Sequence, residues 1–276
     1  MQPKLLWKGE TRAVKLGGIP TSYVGETEKE CRESCKGCPL DPYHKGAQPI
    51  PAISKCFAQK GSPSWAQAAI ARKIKKWKDA GKYVEVLTHY TIERALATRA
   101  YSAKYVRNVM IGDSSKCDPK EVRSDHDKVR KAGLGWISYT HFPFLVARQG
   151  NQDMYCASLP VIGLNMGVFA QADYVINALG FKRATVVLPA GWLNENGATF
   201  TTPAGKQGVV CYEQMSRATN QQPVTCNTCG LCDPKEEGPE VVGFINHDNK
   251  ARGYWKKLAK ENIEWAINLT KPKRSA

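Results

Sequence analysis

Three cysteines near the start of the chain are spaced closely enough to bind one metal centre. Cys31, Cys35 and Cys38 follow the pattern C-x3-C-x2-C. Thiolates are natural ligands of iron–sulfur clusters, and closely spaced cysteines on a loop can hold one cluster without help from distant segments. Three thiolates on a 4Fe-4S cluster leave one iron free, and that open position could chelate a small molecule. The alternative is a structural zinc completed by Cys56 or His44.

A second group of cysteines follows the pattern C-x2-C-x2-C at Cys226, Cys229 and Cys232. This spacing indicates a metal site because each C-x2-C half folds back to place two sulfurs near one metal. Cys211, which lies upstream, would complete a set of four thiolates for either an auxiliary iron–sulfur cluster or a zinc. His247, which lies downstream, would instead give a zinc site of three thiolates and one imidazole. The spacing does not decide between these two sets of ligands.

The composition predicts a basic cytoplasmic protein. Ten cysteines, in a chain whose first residues lack the apolar core of a signal peptide, favour metal-binding or catalytic thiols over disulfides. No apolar run is long enough to cross a bilayer, so we expect no membrane partner. The net charge of +15 predicts a polyanionic partner such as DNA, although a basic surface can also serve solubility alone. The densest basic run is Arg72, Lys73, Lys75, Lys76 and Lys78.

Strands and helices alternate along most of the sequence. The patterns predict strands at 11–24, 83–87, 106–111, 136–140, 184–188 and 241–245, and helices at 65–80, 91–100, 118–133, 166–179 and 250–269. This order predicts an α/β fold with a mainly parallel sheet, either open or curled into a partial or complete (β/α) barrel. Two cysteine-rich segments, 26–61 and 199–239, show neither period and are expected to be irregular. We therefore expect an α/β core over 1–198 and a cysteine-rich, metal-binding C-terminal part over 199–276.

The C-x3-C-x2-C spacing directly after a first strand resembles the cluster loop of the radical S-adenosylmethionine (SAM) enzymes. A second match is VMIGDSS at 109–115, which is similar to the acidic Gly-containing turn that receives the SAM amino group in that superfamily. The resemblance implies a partial or complete barrel, a 4Fe-4S cluster whose open iron chelates SAM, a 5′-deoxyadenosyl radical that abstracts hydrogen, and an electron donor such as flavodoxin or ferredoxin. It implies catalytic roles for Cys31, Cys35, Cys38 and Asp113, and SAM-binding roles for Gly112, Asp113 and Ser114. An N-cap or turn role for Asp113 is the alternative.

The C-terminal cysteine group also resembles uncharacterised phage proteins of the gene-product-88 type, and this similarity extends to the Gly112–Asp113 turn and to residues 136–140. The resemblance implies a bacteriophage protein that works in the host cytoplasm. It suggests a radical SAM isomerase that rearranges a hypermodified thymine in phage DNA and so protects that DNA from restriction. The positive charge would hold the duplex while a flipped base enters the barrel. Tyr139, Phe142 and Phe144 could stack on such a base or belong to the core.

Two other functions remain open at this point. A DNA-guanine transglycosylase would bind zinc through Cys226, Cys229, Cys232 and His247, and it would need two aspartates, for which Asp113 and Asp248 are the candidates. That function leaves the three early cysteines unexplained. A non-enzymatic alternative is a nucleic-acid-binding module in which both cysteine groups are zinc staples. It leaves the long α/β scaffold unexplained, since such scaffolds usually carry a site at the carboxyl ends of their strands.

Overall fold

The computed structural model describes residues 3–9, 17–36, 62–82, 88–109, 112–159, 167–188, 192–218 and 224–245. In these residues nine strands form one sheet: β1 (Leu5–Lys8), β2 (Thr21–Val24), β3 (Tyr105–Asn108), β4 (Gly135–Thr140), β5 (Cys156–Leu159), β6 (Ala184–Leu188), β7 (Thr199–Thr201), β8 (Gln207–Val210) and β9 (Val241–Ile245). The α-helices of the same residues are α1 (Glu28–Ser34), α2 (Ser62–Asp79), α3 (Ile92–Ala97), α4 (Pro119–Lys131), α5 (Pro143–Gln149), α6 (Val168–Asn177), α7 (Trp192–Asn196), α8 (Tyr212–Ala218) and α9 (Cys226–Cys229).

The strand order is β1-β2-β3-β4-β5-β6-β9-β8-β7. All neighbours from β2 to β8 are parallel, and only the two edge strands, β1 and β7, run antiparallel to their neighbours. The prediction of a mainly parallel α/β sheet is therefore confirmed. Because β2 to β6 follow one another in both sequence and space, the segments that leave their carboxyl ends meet at one edge of the sheet.

The sheet is strongly curved. The rings of Tyr139 on β4 and Phe244 on β9 lie 6.2 Å apart between centroids, although β5 and β6 lie between these two strands. Three strand spacings in a flat sheet would separate them by about 14 Å. We call the side that carries these two rings the concave face and the opposite side the convex face.

Helices cover the convex face and enclose the main core. Alternate strand residues such as Val106, Trp136 and Val186 are buried there. Helices α4 and α6 add the apolar residues of their inner sides, for example Val129 and Val175. The strands therefore bury one face completely, and side chains that point to the other face are free to take another role. Among the described helices, none combines the length and the apolar character that a bilayer crossing requires.

Several predicted elements are confirmed with small shifts of their ends. Strands β6 and β9 have the predicted bounds, and the helices expected at 65–80, 91–100, 118–133 and 166–179 are α2, α3, α4 and α6. Strand β2 begins only at Thr21, because Gly17 and Gly18 form a turn with positive φ before it. The predicted strand at 83–87 and the closing helix at 250–269 lie outside the described residues. Strand β5 and helix α5 were not predicted.

The expectation of irregular structure is wrong for segment 199–239 and for the described beginning of segment 26–61, residues 26–36. Segment 199–239 contains β7, β8, α8 and α9, and the first two join the same sheet as the core strands. Segment 26–61 contains α1, which begins with a capping box: the Thr27 hydroxyl accepts from the Glu30 backbone N–H, while the Glu30 carboxylate accepts from the backbone N–H groups of Glu26 and Thr27. The signal T-x-x-E is local and was present in the sequence.

Candidate functional site

The first cysteine group lies where the chain leaves β2. Cys31 is within α1, and Cys35 directly follows its last residue, Ser34. Cys35 is half-buried, is not part of a disulfide, and lies 3.9 Å from the Ser34 hydroxyl. Cys38 lies outside the described residues. The structure therefore places two of the three predicted ligands four residues apart, on the first connection at the carboxyl edge of the parallel strands.

The turn after β3 contacts this connection directly. Gly112 has a φ of +91°, a conformation that side chains disfavour. A Cβ atom at Gly112 would lie 2.6 Å from the Cβ of Val24 and 2.8 Å from the hydroxyl of Ser34. Only glycine allows such an approach between the turn and the residue that precedes Cys35. The two motifs matched to the radical SAM superfamily are thus brought together, although they are far apart in sequence.

The Asp113 carboxylate is fully engaged by protein donors. It is 1% exposed; one oxygen accepts from the backbone N–H of Ser115 at 3.1 Å, and the other accepts from the Thr140 hydroxyl at 3.1 Å and from the His141 N–H at 2.7 Å. These bonds tie the turn after β3 to the end of β4. The alternative N-cap role is therefore present, and contact of Asp113 with a cosubstrate stays a prediction. Burial lowers the pKa of His141, while the nearby Asp113 charge acts in the opposite direction.

Ser114 belongs to a buried polar network rather than to an open surface. Its hydroxyl accepts from the Asn108 amide at 2.7 Å and lies 3.0 Å from the Tyr155 hydroxyl. The same amide donates to Ser138 at 3.1 Å, and Ser22 donates to the amide oxygen of Asn108 at 3.0 Å. This network joins the carboxyl ends of β2, β3 and β4, and so fixes the edge at which Gly112 meets α1. A SAM-binding role for Ser114 stays a prediction.

Val109 adds backbone strain at the same edge. Its φ is +72°, which is a genuine outlier for a β-branched residue. The Ser22 hydroxyl accepts from its backbone N–H at 2.8 Å and so holds this conformation. Strained residues of this kind cluster at functional sites, where the surrounding contacts over-determine them. The strain lies three residues before Gly112, in the turn that contacts the first cysteine group.

The second cysteine group lies in a segment, residues 224–240, that binds to the opposite ends of the strands. The buried guanidinium of Arg183, directly before β6, donates to the carbonyls of Leu231, Asp233, Glu236 and Pro239. Four carbonyls are thus satisfied by one side chain, which fixes the path of residues 231–239, where the segment has no helix or strand.

Two further side chains complete this attachment. Asp233 is fully buried and accepts from two nitrogens of Arg130, from the Trp136 N–H at 2.8 Å and from the Lys235 N–H at 3.0 Å. Asn227 accepts from the Lys104 N–H at 2.7 Å. Lys104 directly precedes β3, and Trp136 lies at the start of β4. The segment is therefore fixed at the amino ends of β3, β4 and β6.

Five thiols face the same region. Cys226 and Cys229 are in α9, Cys232 follows them, and Cys211 follows β8; Cys156 of β5 donates from its sulfur to the Cys232 carbonyl at 3.1 Å. Burial raises the pKa of Cys232, and Cys156, Cys211 and Cys226 add to this rise. Burial also raises the pKa of Cys229, and Cys211 and Cys226 add to this rise. Sequence reasoning missed Cys156, because it has no cysteine nearby in the chain.

The thiols match a metal site in residue type and in region, but not in coordinating geometry. Within the described ranges, no group of three or more Cys, His, Asp or Glu side chains is arranged to hold a metal ion. An unpartnered polar atom lies on the same face of the sheet: the buried Thr185 hydroxyl has no hydrogen-bond partner in the described structure. His247, the alternative zinc ligand, lies outside the described residues, as does Asp248. The second metal site stays a prediction.

The concave face also carries several partly exposed residues, of which only Tyr139 was singled out from the sequence. The next-to-last residue of β3, β4, β5, β6 and β9 points to this face in each case and is half-exposed: Arg107, Tyr139, Ser158, Val187 and Phe244. The Arg107 guanidinium lies 5.1 Å from the centre of the Tyr139 ring. The only local signal was an arginine inside a short strand, YVRN. Of the three aromatic residues singled out above, Tyr139 lies on this face, whereas Phe144 packs against Tyr174 of α6.

The predicted basic run is a solvent-exposed side of α2. Arg72, Lys73, Lys75, Lys76 and Lys78 are all exposed, while Ile70 and Ile74 are buried. Lys75 pairs with Asp79 at 3.1 Å, which is an exposed contact of small energy. Helix α2 packs against α1, the helix that contains Cys31.

A polar cavity of about 760 Å³ lies on the helical side, along α4. Lys120, Asp127 and Lys131 line it together with Arg123, whose guanidinium is already held by Asp153 at 2.7 Å. None of the cysteines or the concave-face residues lines this cavity.

Comparison of the chain with protein-family models, with curated proteins and with solved structures finds no match in any of the three. Function therefore has to be inferred from the residues and their geometry.

Proposed function

We propose that this protein is a radical SAM iron–sulfur enzyme in which Cys31, Cys35 and Cys38 bind a 4Fe-4S cluster. The observation that carries the proposal is the contact of Gly112 with Ser34, the residue beside Cys35. It brings a cysteine-rich connection and the Gly112–Asp113 turn to the same edge of a parallel sheet. Ligand sites of α/β sheets lie at this edge, where successive connections meet.

The sheet supports a partial (β/α) barrel as the finer description of the fold. Strands β2 to β6 are parallel and follow one another in sequence order, and β9 continues the series beside β6. The contact between Tyr139 and Phe244 across two intervening strands supports a barrel, because closing a sheet requires it to curve. Helices outside and half-exposed side chains inside suit a substrate that enters the concave face.

The residues of the chain have defined tasks in this proposal. The three cysteines would hold the cluster, which when bound supplies reductive cleavage of SAM. Gly112 leaves space beside α1 because it has no side chain. Asp113 holds the turn in place through its bonds to Thr140 and His141. The network around Asn108 keeps the ends of β2, β3 and β4 aligned.

We propose a base in DNA as the substrate, with isomerisation of a hypermodified thymine as the reaction. The net charge of +15 and the exposed cations of α2 support a polyanionic substrate. Flavodoxin or ferredoxin would supply the electron. Cys211, Cys226, Cys229 and Cys232 would bind a second metal, either an auxiliary iron–sulfur cluster or a zinc.

The test is anaerobic purification followed by iron analysis and an assay for SAM cleavage to 5′-deoxyadenosine under a strong reductant. We expect a brown protein, and we expect Cys35→Ala to lose about four irons per chain together with SAM cleavage. Cys117→Ala is the matched control, because Cys117 is a buried core thiol that we assign to no metal. SAM cleavage that persists in Cys35→Ala contradicts the proposal. A colourless protein that holds only zinc would favour the transglycosylase or the binding module instead.

A further inference from the structure

We propose that the carboxyl half of the concave face binds a single nucleotide, with its base against the rings of Tyr139 and Phe244 and its phosphate at Arg107. This inference deepens the proposed function, on which it rests for the assignment of the concave face as the substrate side. The ligand that we propose is a planar base joined through a sugar to one phosphate.

The first support is the pattern of exposure along the strands. On β3, β4, β5, β6 and β9 the next-to-last residue is half-exposed, whereas the last residue of β3 to β6, on the convex face, is buried. The half-exposed residues of neighbouring strands share one side of the sheet, as the pairs Tyr139–Cys156, Ser158–Thr185 and Val187–Phe244 show. Each of them keeps part of its side chain exposed, near the edge where α/β proteins bind ligands.

The second support is the aromatic pair on this surface. Tyr139 and Phe244 meet edge to face at 6.2 Å, and both are half-exposed. Stacking on aromatic rings is the general way in which proteins hold an unpaired base, because every base has a π-face.

The third support is the guanidinium of Arg107. Arg107 donates to the Val109 carbonyl at 3.5 Å and stacks on Tyr139, and it forms no ion pair with any carboxylate of the described residues. The guanidinium edge presents a fork of donors that matches a phosphate. Thr21 is paired with Arg107 in the register of the sheet, and its buried hydroxyl has no hydrogen-bond partner in the described structure. A buried hydroxyl without a partner is uncommon in proteins, and a ligand bound at this position would satisfy it.

The side chains on the concave face of these strands favour a ligand with a single negative group. The strand residues that point to it on β2, β3, β4, β5, β6 and β9 include one cation and no acidic side chain: Thr21, Tyr23, Tyr105, Arg107, Ile137, Tyr139, Cys156, Ser158, Thr185, Val187, Val242 and Phe244. A single guanidinium suits one phosphate rather than a triphosphate. The nucleotide can be free, or it can be one unit of a strand from which the base has been flipped.

The test is calorimetric titration of the full chain, kept anaerobic, with the four deoxynucleoside monophosphates and with the matching nucleosides. For Arg107→Gln we expect the affinity for the monophosphates to fall by roughly ten- to a hundredfold, because a hydrogen bond to a charged group is lost. The affinity for the nucleosides should change little. Arg94→Gln is the matched control, since Arg94 is an exposed residue of α3. Arg107→Lys should give an intermediate loss, because it keeps the charge but not the fork.

Three comparisons complete the design. A short single-stranded oligonucleotide that binds more tightly than the monophosphates assigns the site to a strand, and the reverse result assigns it to a free nucleotide. Cys35→Ala should bind nucleotides as the unaltered chain does, so failure of the radical mechanism and failure of this site are distinguishable. The proposal is overturned if Arg107→Gln binds monophosphates normally, if phosphate adds nothing to nucleoside affinity, or if SAM is the only ligand that binds.

Discussion

Replacing Asp233 by asparagine tests how the second cysteine group is held in place. The Asp233 side chain is fully buried, and its carboxylate accepts four hydrogen bonds, two of them from Arg130. Asparagine has nearly the same shape as aspartate but carries no charge. Its NH2 group would replace one of the two carboxylate oxygens and would face N–H donors instead of accepting from them. The guanidinium of Arg130, with a side chain that is 21% exposed, then remains without its counter-charge.

The expected cost follows from these contacts. Breaking a buried ion pair by removing one partner costs about 3–5 kcal/mol. The partial exposure of Arg130 moves the value to the lower end, about 3 kcal/mol, and the weakened bond to the Trp136 N–H adds about 1 kcal/mol. For a chain of this length, each kcal/mol corresponds to a shift in Tm of about 2–4 °C. The two costs together, about 4 kcal/mol, lead us to expect Asp233→Asn to lower Tm by roughly 8–16 °C.

The assay is thermal unfolding followed by circular dichroism under anaerobic, reducing conditions. The matched control is Asp79→Asn, which removes the exposed pair with Lys75 and should shift Tm by no more than about 2 °C. Metal analysis of the same samples should show less of the second metal in Asp233→Asn, because the segment that carries Cys226, Cys229 and Cys232 loses its attachment to α4 and β4. A shift for Asp233→Asn that is as small as that of the control would refute the reasoning.

Two further predictions concern the edge of the sheet and the convex core. Gly112→Ala should lower both stability and bound iron, because its Cβ would lie 2.6 Å from Val24, whereas Gly133→Ala, with positive φ but open space around it, should cost stability alone; equal iron content in the two variants would contradict this. Burial raises the pKa of Asp125 from 3.8 to about 6, so the folded state holds this proton more tightly and loses up to about 3 kcal/mol as pH rises from 4 to 7. Asp125→Asn should flatten that decline in Tm, and an unchanged pH profile would count against it.

The local part of the fold was readable from the sequence. Apolar runs bounded by turn residues gave β6 and β9 with the correct ends, and the caps at Thr91 and Asp118 gave the starts of α3 and α4. The capping box of α1 was equally local, and it was missed only because the surrounding segment is rich in cysteine and glycine. These features depend on a few neighbouring residues, which is why a single sequence contains them.

The sequence by itself determined the cysteine spacings, the positive charge and the alternation of strands and helices, since each is a property of residue type and order. Only the tertiary structure decided which distant residues meet. The contact of Gly112 with Ser34, the bond of Asp233 to Arg130, and the grouping of Cys156 with Cys232 all depend on strand order. The surface of Arg107, Tyr139 and Phe244 depends further on register, because a slip of one residue in any strand would turn its side chains to the opposite face.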